Sequence, residues 1–211
     1  MVSMPTQVKK RELPGDDSTS QRIIAAARRY FFSHGFRGVT MDDLAEELGM
    51  SKKTLYAGFH SKTALLEAVL EDKFRTVEGD FKRVVSERQA DALESLRQLL
   101  ACVQRHTEEI QPPFVRDIQR NAPEMFKQVE GKRRELIQRY FGRIFDEGRR
   151  QGIIRKDIPT KVMIEILLAA TEGIVNPRKM AELGLTPKTG FNSVISIILT
   201  GALTENRWSK P

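Results

Sequence analysis

The 211-residue sequence has one cysteine, Cys102, three histidines and one tryptophan. A single thiol forms no internal disulfide, which fits a reducing compartment. The histidines, His34, His60 and His106, stand far from one another. No HExxH, paired-cysteine or glycine-rich phosphate loop occurs, so neither a metal, a cofactor nor an enzymatic reaction is expected. No uncharged apolar run approaches the roughly 20 residues a membrane helix needs. The N-terminus places no apolar stretch behind its charges, which argues against a secretory signal and for the cytoplasm. Alternating strand patterns are absent as well. Apolar spacings of three and four remain, and they predict an all-α fold.

What is present fits a globular chain: 40% hydrophobic and 30% charged residues. The formal net charge is +7. Its placement matters more than its size. Residues 1–73 hold eleven Lys/Arg and ten Asp/Glu, so the excess lies mostly in residues 74–211. Overall basicity therefore carries no argument for a nucleic-acid partner, and any such argument has to rest on local pattern.

That pattern is the stretch Thr40–Lys62, TMDDLAEELGMSKKTLYAGFHSK. Thr40 is placed to cap a helix, with Asp43 returning the bond three residues on. Leu44, Ala45 and Leu48 give that helix one apolar face. Gly49 ends it, because glycine takes a positive φ at little cost. Ser51 caps a second helix of about two turns, in which Leu55 and Phe59 turn inward. Lys52, Lys53, Thr54 and Tyr56 are left on the other side. A short helix with an apolar back and a front of cations, hydroxyl and phenol suits a DNA major groove. Ser61 caps a third helix and Lys62 falls in its first turn, where a cation opposes the helix dipole. A DNA phosphate beside it would account for that placement.

In type and spacing this stretch resembles the DNA-binding domain of the TetR family (TetR/AcrR type) of transcriptional regulators. The matching residues are Thr40-x-x-x-Leu44-Ala45, Gly49-Met50-Ser51 and Lys53-Thr54-Leu55-Tyr56-x-x-Phe59-x-Ser61-Lys62. The resemblance implies DNA contacts at Thr40, Lys52, Lys53, Thr54, Tyr56 and Lys62. One position departs: the family often has His or Tyr before the phenylalanine, and here it is Gly58.

The expected layout is a disordered tail over 1–19, a three-helix helix-turn-helix domain over 20–73 with its motif at about 40–59, and a helical domain over 74–211. In the tail, Lys9-Lys10-Arg11 reads either as a solvated cluster or as a basic arm reaching the DNA backbone or minor groove. A first helix runs from Ser20 to His34. The helix from Ser61 continues to about Ser86 on the stripe Leu65, Leu66, Val69, Leu70, Phe74, Val77, Phe81 and Val85, with Gly79 as a weak point. It physically links the two domains.

The family resemblance implies a cavity between the C-terminal helices, with Phe74, Phe81, Leu100, Val103, Phe114, Ile118, Phe141 and Phe145 as candidate lining. The plain alternative is that each simply fills the core. Arg105, His106, Arg116 and Arg120 read either as solvated surface or as groups that orient an anionic ligand, and Cys102 as a buried, inert thiol. The last two helices, about 160–175 and 187–205, are apolar on several sides. The residues Ile164, Leu167, Leu168, Phe191, Val194, Ile195 and Ile198 are the candidate dimer interface. The expected protein is a homodimeric regulator, more a repressor than an activator, released from a palindromic double-stranded DNA operator by a small apolar or aromatic effector. A DNA-binding regulator with no ligand and a helical protein–protein adaptor remain as alternatives.

Overall fold

Apolar residues at helical spacing, punctuated by caps, glycines and prolines, generate ten helices among the described residues. The computed structural model describes residues 17–86 and 91–203. The helices are α1 (Asp17–His34), α2 (Met41–Glu47), α3 (Lys52–Gly58), α4 (Lys62–Ser86), α5 (Ala92–Glu108), α6 (Pro112–Asn121), α7 (Pro123–Arg150), α8 (Thr160–Ile174), α9 (Pro177–Leu183) and α10 (Pro187–Ala202). No β-strand is present among these residues, and one isolated bridge joins Ile154 to Leu203. The expected all-α class holds. Helix α1 starts three residues before the expected Ser20. The Lys9-Lys10-Arg11 cluster lies outside the described residues.

The DNA-side helices share one core. Ile23, Ala27 and Phe31 of α1 pack with Leu44 and Ala45 of α2, Leu55 of α3 and Leu65, Leu66 and Val69 of α4. Every one of these is nearly or wholly buried. Phe114 and Ile118 of α6 and Met125 of α7 complete the same cluster. The N-terminal core is therefore closed from the C-terminal half. Phe32 and Phe114 meet at a tilt of 59° with ring centres 4.8 Å apart. Gly35, at φ +87°, ends α1 hard against α6: a Cβ there would meet Asp117 Oδ2 at 2.6 Å. The Asp117 carboxylate also accepts the Arg37 backbone N–H at 2.8 Å.

A second core fills the C-terminal half, with Phe81, Leu96, Leu99, Leu136, Phe141, Phe145, Leu168 and Leu199 among its members. Here the structure corrects the reading of the last two long helices. Ile164, Leu167, Leu168, Phe191, Val194 and Ile195 are buried within the single chain, and Ile198 is half-buried against the same core. Helices α8 and α10 use those residues to pack on each other and on α7 and α5. The apolar groups left outside lie on other faces: Val162 and Ile166 on α8 and Ile197 on α10, which is 75% exposed. Helix α9, absent from the sequence reading, carries its own start and stop signals. The Asn176 side chain caps it and accepts from the Lys179 N–H, Pro177 opens it, and Gly184 closes it in the left-handed region.

Candidate functional site: a nucleic-acid interface and an interior cavity

The short helix α3 is held by its caps and its back. Ser51 accepts the Thr54 N–H at 3.1 Å, and Leu55 and Phe59 are buried. Before it, Thr40 and Asp43 exchange bonds in a capping box, at 3.1 Å from the Asp43 N–H and 2.8 Å from the Thr40 N–H. Gly49, at φ +61°, makes the turn between α2 and α3. The outcome is a rigid corner with one outward surface.

That surface carries Thr40, Lys52, Lys53, Thr54 and Tyr56, all exposed, the last by 46%. Lys52 reaches back to Asp42 at 2.6 Å. Both groups are well exposed, so the pair is weak and a phosphate can displace the carboxylate. The Thr54 hydroxyl lies 2.8 Å from that of Ser51. Lys62 behaves differently. Its ammonium donates to the Val39 carbonyl at 2.7 Å and lies 4.5 Å from the Phe36 ring centre. Partial burial holds its pKa below the ordinary lysine value, against the pull of Asp117 and Asp43. The cation opposing the dipole of α4 thus has a partner inside the chain. Gly58 has room: a Cβ there would sit 3.7 Å from Ile23 Cδ1, an ordinary contact.

Residues 23–69, which build this corner and its supports, match the family described as "Bacterial regulatory proteins, tetR family". The likeness to that family is carried by this segment. Over 80 residues it is 38% identical to the uncharacterized HTH-type transcriptional regulator YvaF of Bacillus subtilis, covering 38% of this chain and 42% of that protein. Over 82 residues it is 33% identical to the HTH-type transcriptional regulator TtgR of Pseudomonas putida, covering 39% of each. The chain thus spans about two fifths of the length of these curated relatives. Among solved structures, a transcriptional regulator from Cytophaga hutchinsonii superposes with a TM-score of 0.68 at 19% identity, over 89% of this chain and all of that one. That likeness extends the shared fold to the C-terminal half.

Helices α1 and α4–α10 line a cavity of about 260 Å³. Of the expected lining, Phe74, Phe81, Val103, Phe114 and Ile118 are there. Leu100, Phe141 and Phe145 are not. They are buried core, with Phe141 and Phe145 packed edge to face at 6.4 Å. Phe191, read as dimer interface, lines the cavity instead, as does Phe32 from α1. Neither is signalled by local sequence, because each reaches the cavity only through the packing of distant helices.

The cavity also has a polar wall, which includes His106. Lys73 is 5% exposed, and its ammonium sits 3.0 Å from His106 Nδ1 and 2.8 Å from Glu109. His106 Nε2 lies 2.9 Å from Asp80. A neutral ring with its proton on Nε2 accepts from Lys73 and donates to Asp80. Burial, then the neighbouring Lys73 charge, push His106 below its ordinary value, which agrees with that neutral form. Burial also lowers Lys73, against the opposing effect of Glu109. Burial alone would raise Glu109, but bonds from Lys73 and Arg28 hold it low. His106 is thus no solvated residue. Arg105 does stay exposed, 3.3 Å from Asp80, and Arg116 and Arg120 lie on the surface. Cys102 is buried, and its thiol is pushed up chiefly by that burial.

Proposed function

We propose that the protein is a DNA-binding transcriptional regulator acting as a homodimer, a repressor that a small apolar effector releases from a palindromic operator. The exposed front of α3, backed by the match over residues 23–69, is the observation that carries the DNA reading. Lys53 and Tyr56 are assigned to phosphate and base edges, with Thr40 at the start of α2 on a phosphate. The exposed Val162, Ile166 and Ile197 support a pairing of α8 and α10 with their copies. Two recognition helices related by a two-fold axis then read two half-sites.

The cavity supports the effector reading over a regulator whose core is fully packed. Its walls include Phe114 and Ile118, which also belong to the DNA-side core. An occupant that displaces α6 therefore acts on Gly35 and Arg37 through Asp117. The helix α4 offers a second route, since Leu70 and Phe74 line the cavity on the same helix that begins at Lys62. Either shift changes the spacing of the two α3 helices.

The test is a gel shift on DNA upstream of the coding region, with salt varied. Specific binding whose salt slope falls by about one in Lys53→Ala is expected. Binding no tighter than to a random duplex, there and after selection from random DNA, would overturn the reading.

A further inference from the structure

The cavity has a neighbour. A surface groove runs between α4 and α7, floored by Leu70, Phe74, Met125 and Val129, all buried or half-buried. Leu70, Phe74 and Val129 also line the cavity. A residue that lines both spaces is the whole thickness of the wall at that point. One layer of apolar residues therefore separates the groove from the cavity.

The seams around the cavity differ in what holds them. Between α4 and α5, Lys73 bonds His106, and His106 bonds Asp80. Between α7 and α8, Arg134 and Gln138 reach Glu165 at 2.7 and 3.1 Å. Opening either seam breaks hydrogen bonds to charged groups. Between residues 67–75 of α4 and 125–132 of α7, no hydrogen bond or ion pair crosses among the described residues. The bonds that join these two helices start at Glu78, which meets Arg139 and Tyr140 at 2.9 and 3.3 Å. Parting the layer above that point disturbs apolar packing alone.

The groove also carries a sign. Glu67 and Glu71 line it from α4, both exposed, one turn apart and without an ion pair among the described residues. Its cations are taken, Arg75 by Asp72 and Lys132 by Glu135. The mouth is left negative, which draws cations and repels anions over about 10 Å at 0.1 M salt.

We propose that the groove between α4 and α7 is the port by which the effector reaches the cavity, that Leu70, Phe74 and Val129 are the barrier it displaces, and that Glu67 and Glu71 admit neutral and cationic molecules while slowing anions. This rests on the effector-cavity reading above and adds how that site is reached and by which charge class. Two of the three barrier residues belong to α4, so passage disturbs the helix that begins at Lys62.

The experiment is stopped-flow fluorescence of the full-length protein with two probes of one skeleton, each bright in apolar surroundings. They are N-phenyl-1-naphthylamine, which is neutral, and its sulfonate, 1-anilinonaphthalene-8-sulfonate. At low salt the neutral probe is expected to associate about tenfold faster or more. The double variant Glu67→Gln, Glu71→Gln should bring the two within about threefold by speeding the sulfonate alone. Val129→Ala thins the barrier. Association and dissociation of the neutral probe should both rise about fivefold, with Kd held within about threefold, because a change confined to the path alters both rates alike. Should that variant fail to fold, Gln128→Trp, which adds bulk on the exposed wall of the groove, should slow both rates instead. Rates that the folded variant leaves untouched, or a Kd that shifts through dissociation alone, overturn the port and leave the cavity reading intact. Sulfonate association unmoved by the double variant overturns the role of the two glutamates. Failure of the neutral probe to bind the wild-type protein overturns the effector cavity itself, and the port with it.

Discussion

His106 sits among charges supplied by three helices: Lys73 and Asp80 from α4, Arg105 from its own α5 with Glu109 as that helix's C-cap, and Arg28 of α1, which bonds Glu109. Its pKa is depressed in the folded state, chiefly by burial. Just below its ordinary value near 6.5 the unfolded chain therefore binds protons that the folded chain refuses. The stability it contributes is complete above about pH 6.5 and is lost as pH falls below that point. The carboxylates of Asp80 and Glu109 are also depressed, but they act only at more acid pH, below about 4.5. The melting temperature should accordingly decline between pH 7.5 and 5.5, and His106→Gln should flatten that decline. A slope unaltered by the substitution would assign the decline to other groups. None of this was legible in the sequence. His106 has polar neighbours along α5, and the partners that bury it lie 26 and 33 positions away, at Asp80 and Lys73. Lys62 was half legible: its unfavourable place in α4 is evident from the caps, but the Val39 carbonyl that answers it is 23 residues upstream.

Among the elements, α3 is a short helix with an exposed polar face, seven residues ending in Gly58. Glycine there weakens a helix that already depends on packing. The contact a Cβ would make with Ile23 is unstrained, and φ at this position is not positive. Gly58→Ala should therefore stabilise by about 0.5–1 kcal/mol and raise the melting temperature by about 1–4 °C, as differential scanning calorimetry would show. A fall would mean that the end of α3 needs the freedom of glycine. Helices α2 and α3 were readable because their caps are local, Thr40 with Asp43 and Ser51 with Thr54. Helix α9 was equally readable from Asn176, Pro177 and Gly184, and was passed over because its apolar stripe is too short to register as a period. The inward residues of α8 and α10 show the limit of pattern. Both helices are apolar on several sides, and hydrophobicity alone does not say which side meets its own core and which a second chain. Only packing separates Leu167 and Leu168 from Ile166, their immediate neighbour, which is half exposed.

For the whole molecule, the proposed dimer would bury the exposed Val162, Ile166 and Ile197. Ile197→Glu leaves the protomer's core untouched, so circular dichroism should be unchanged. Sedimentation should show a monomer, and operator affinity should fall by about tenfold or more as the two half-sites lose their linkage. A dimer persisting at low micromolar concentration would place the interface elsewhere.

The shared core beneath α1 bears on how this chain could be recombined. Cutting after Lys73 looks natural from the sequence, yet it would strip Phe114, Ile118 and Met125 from the cluster that supports α1–α4. It would also remove Pro113 and Asp117, against which Gly35 is fitted. The recognition unit is therefore not a detachable module with a boundary in the chain. A chimera that borrows residues 17–73 for another body must transplant the facing surface of α6 as well, or rebuild it by selection. The half of the molecule outside the family match is thus tied, along this one helix, to the sequence of the half that contains it.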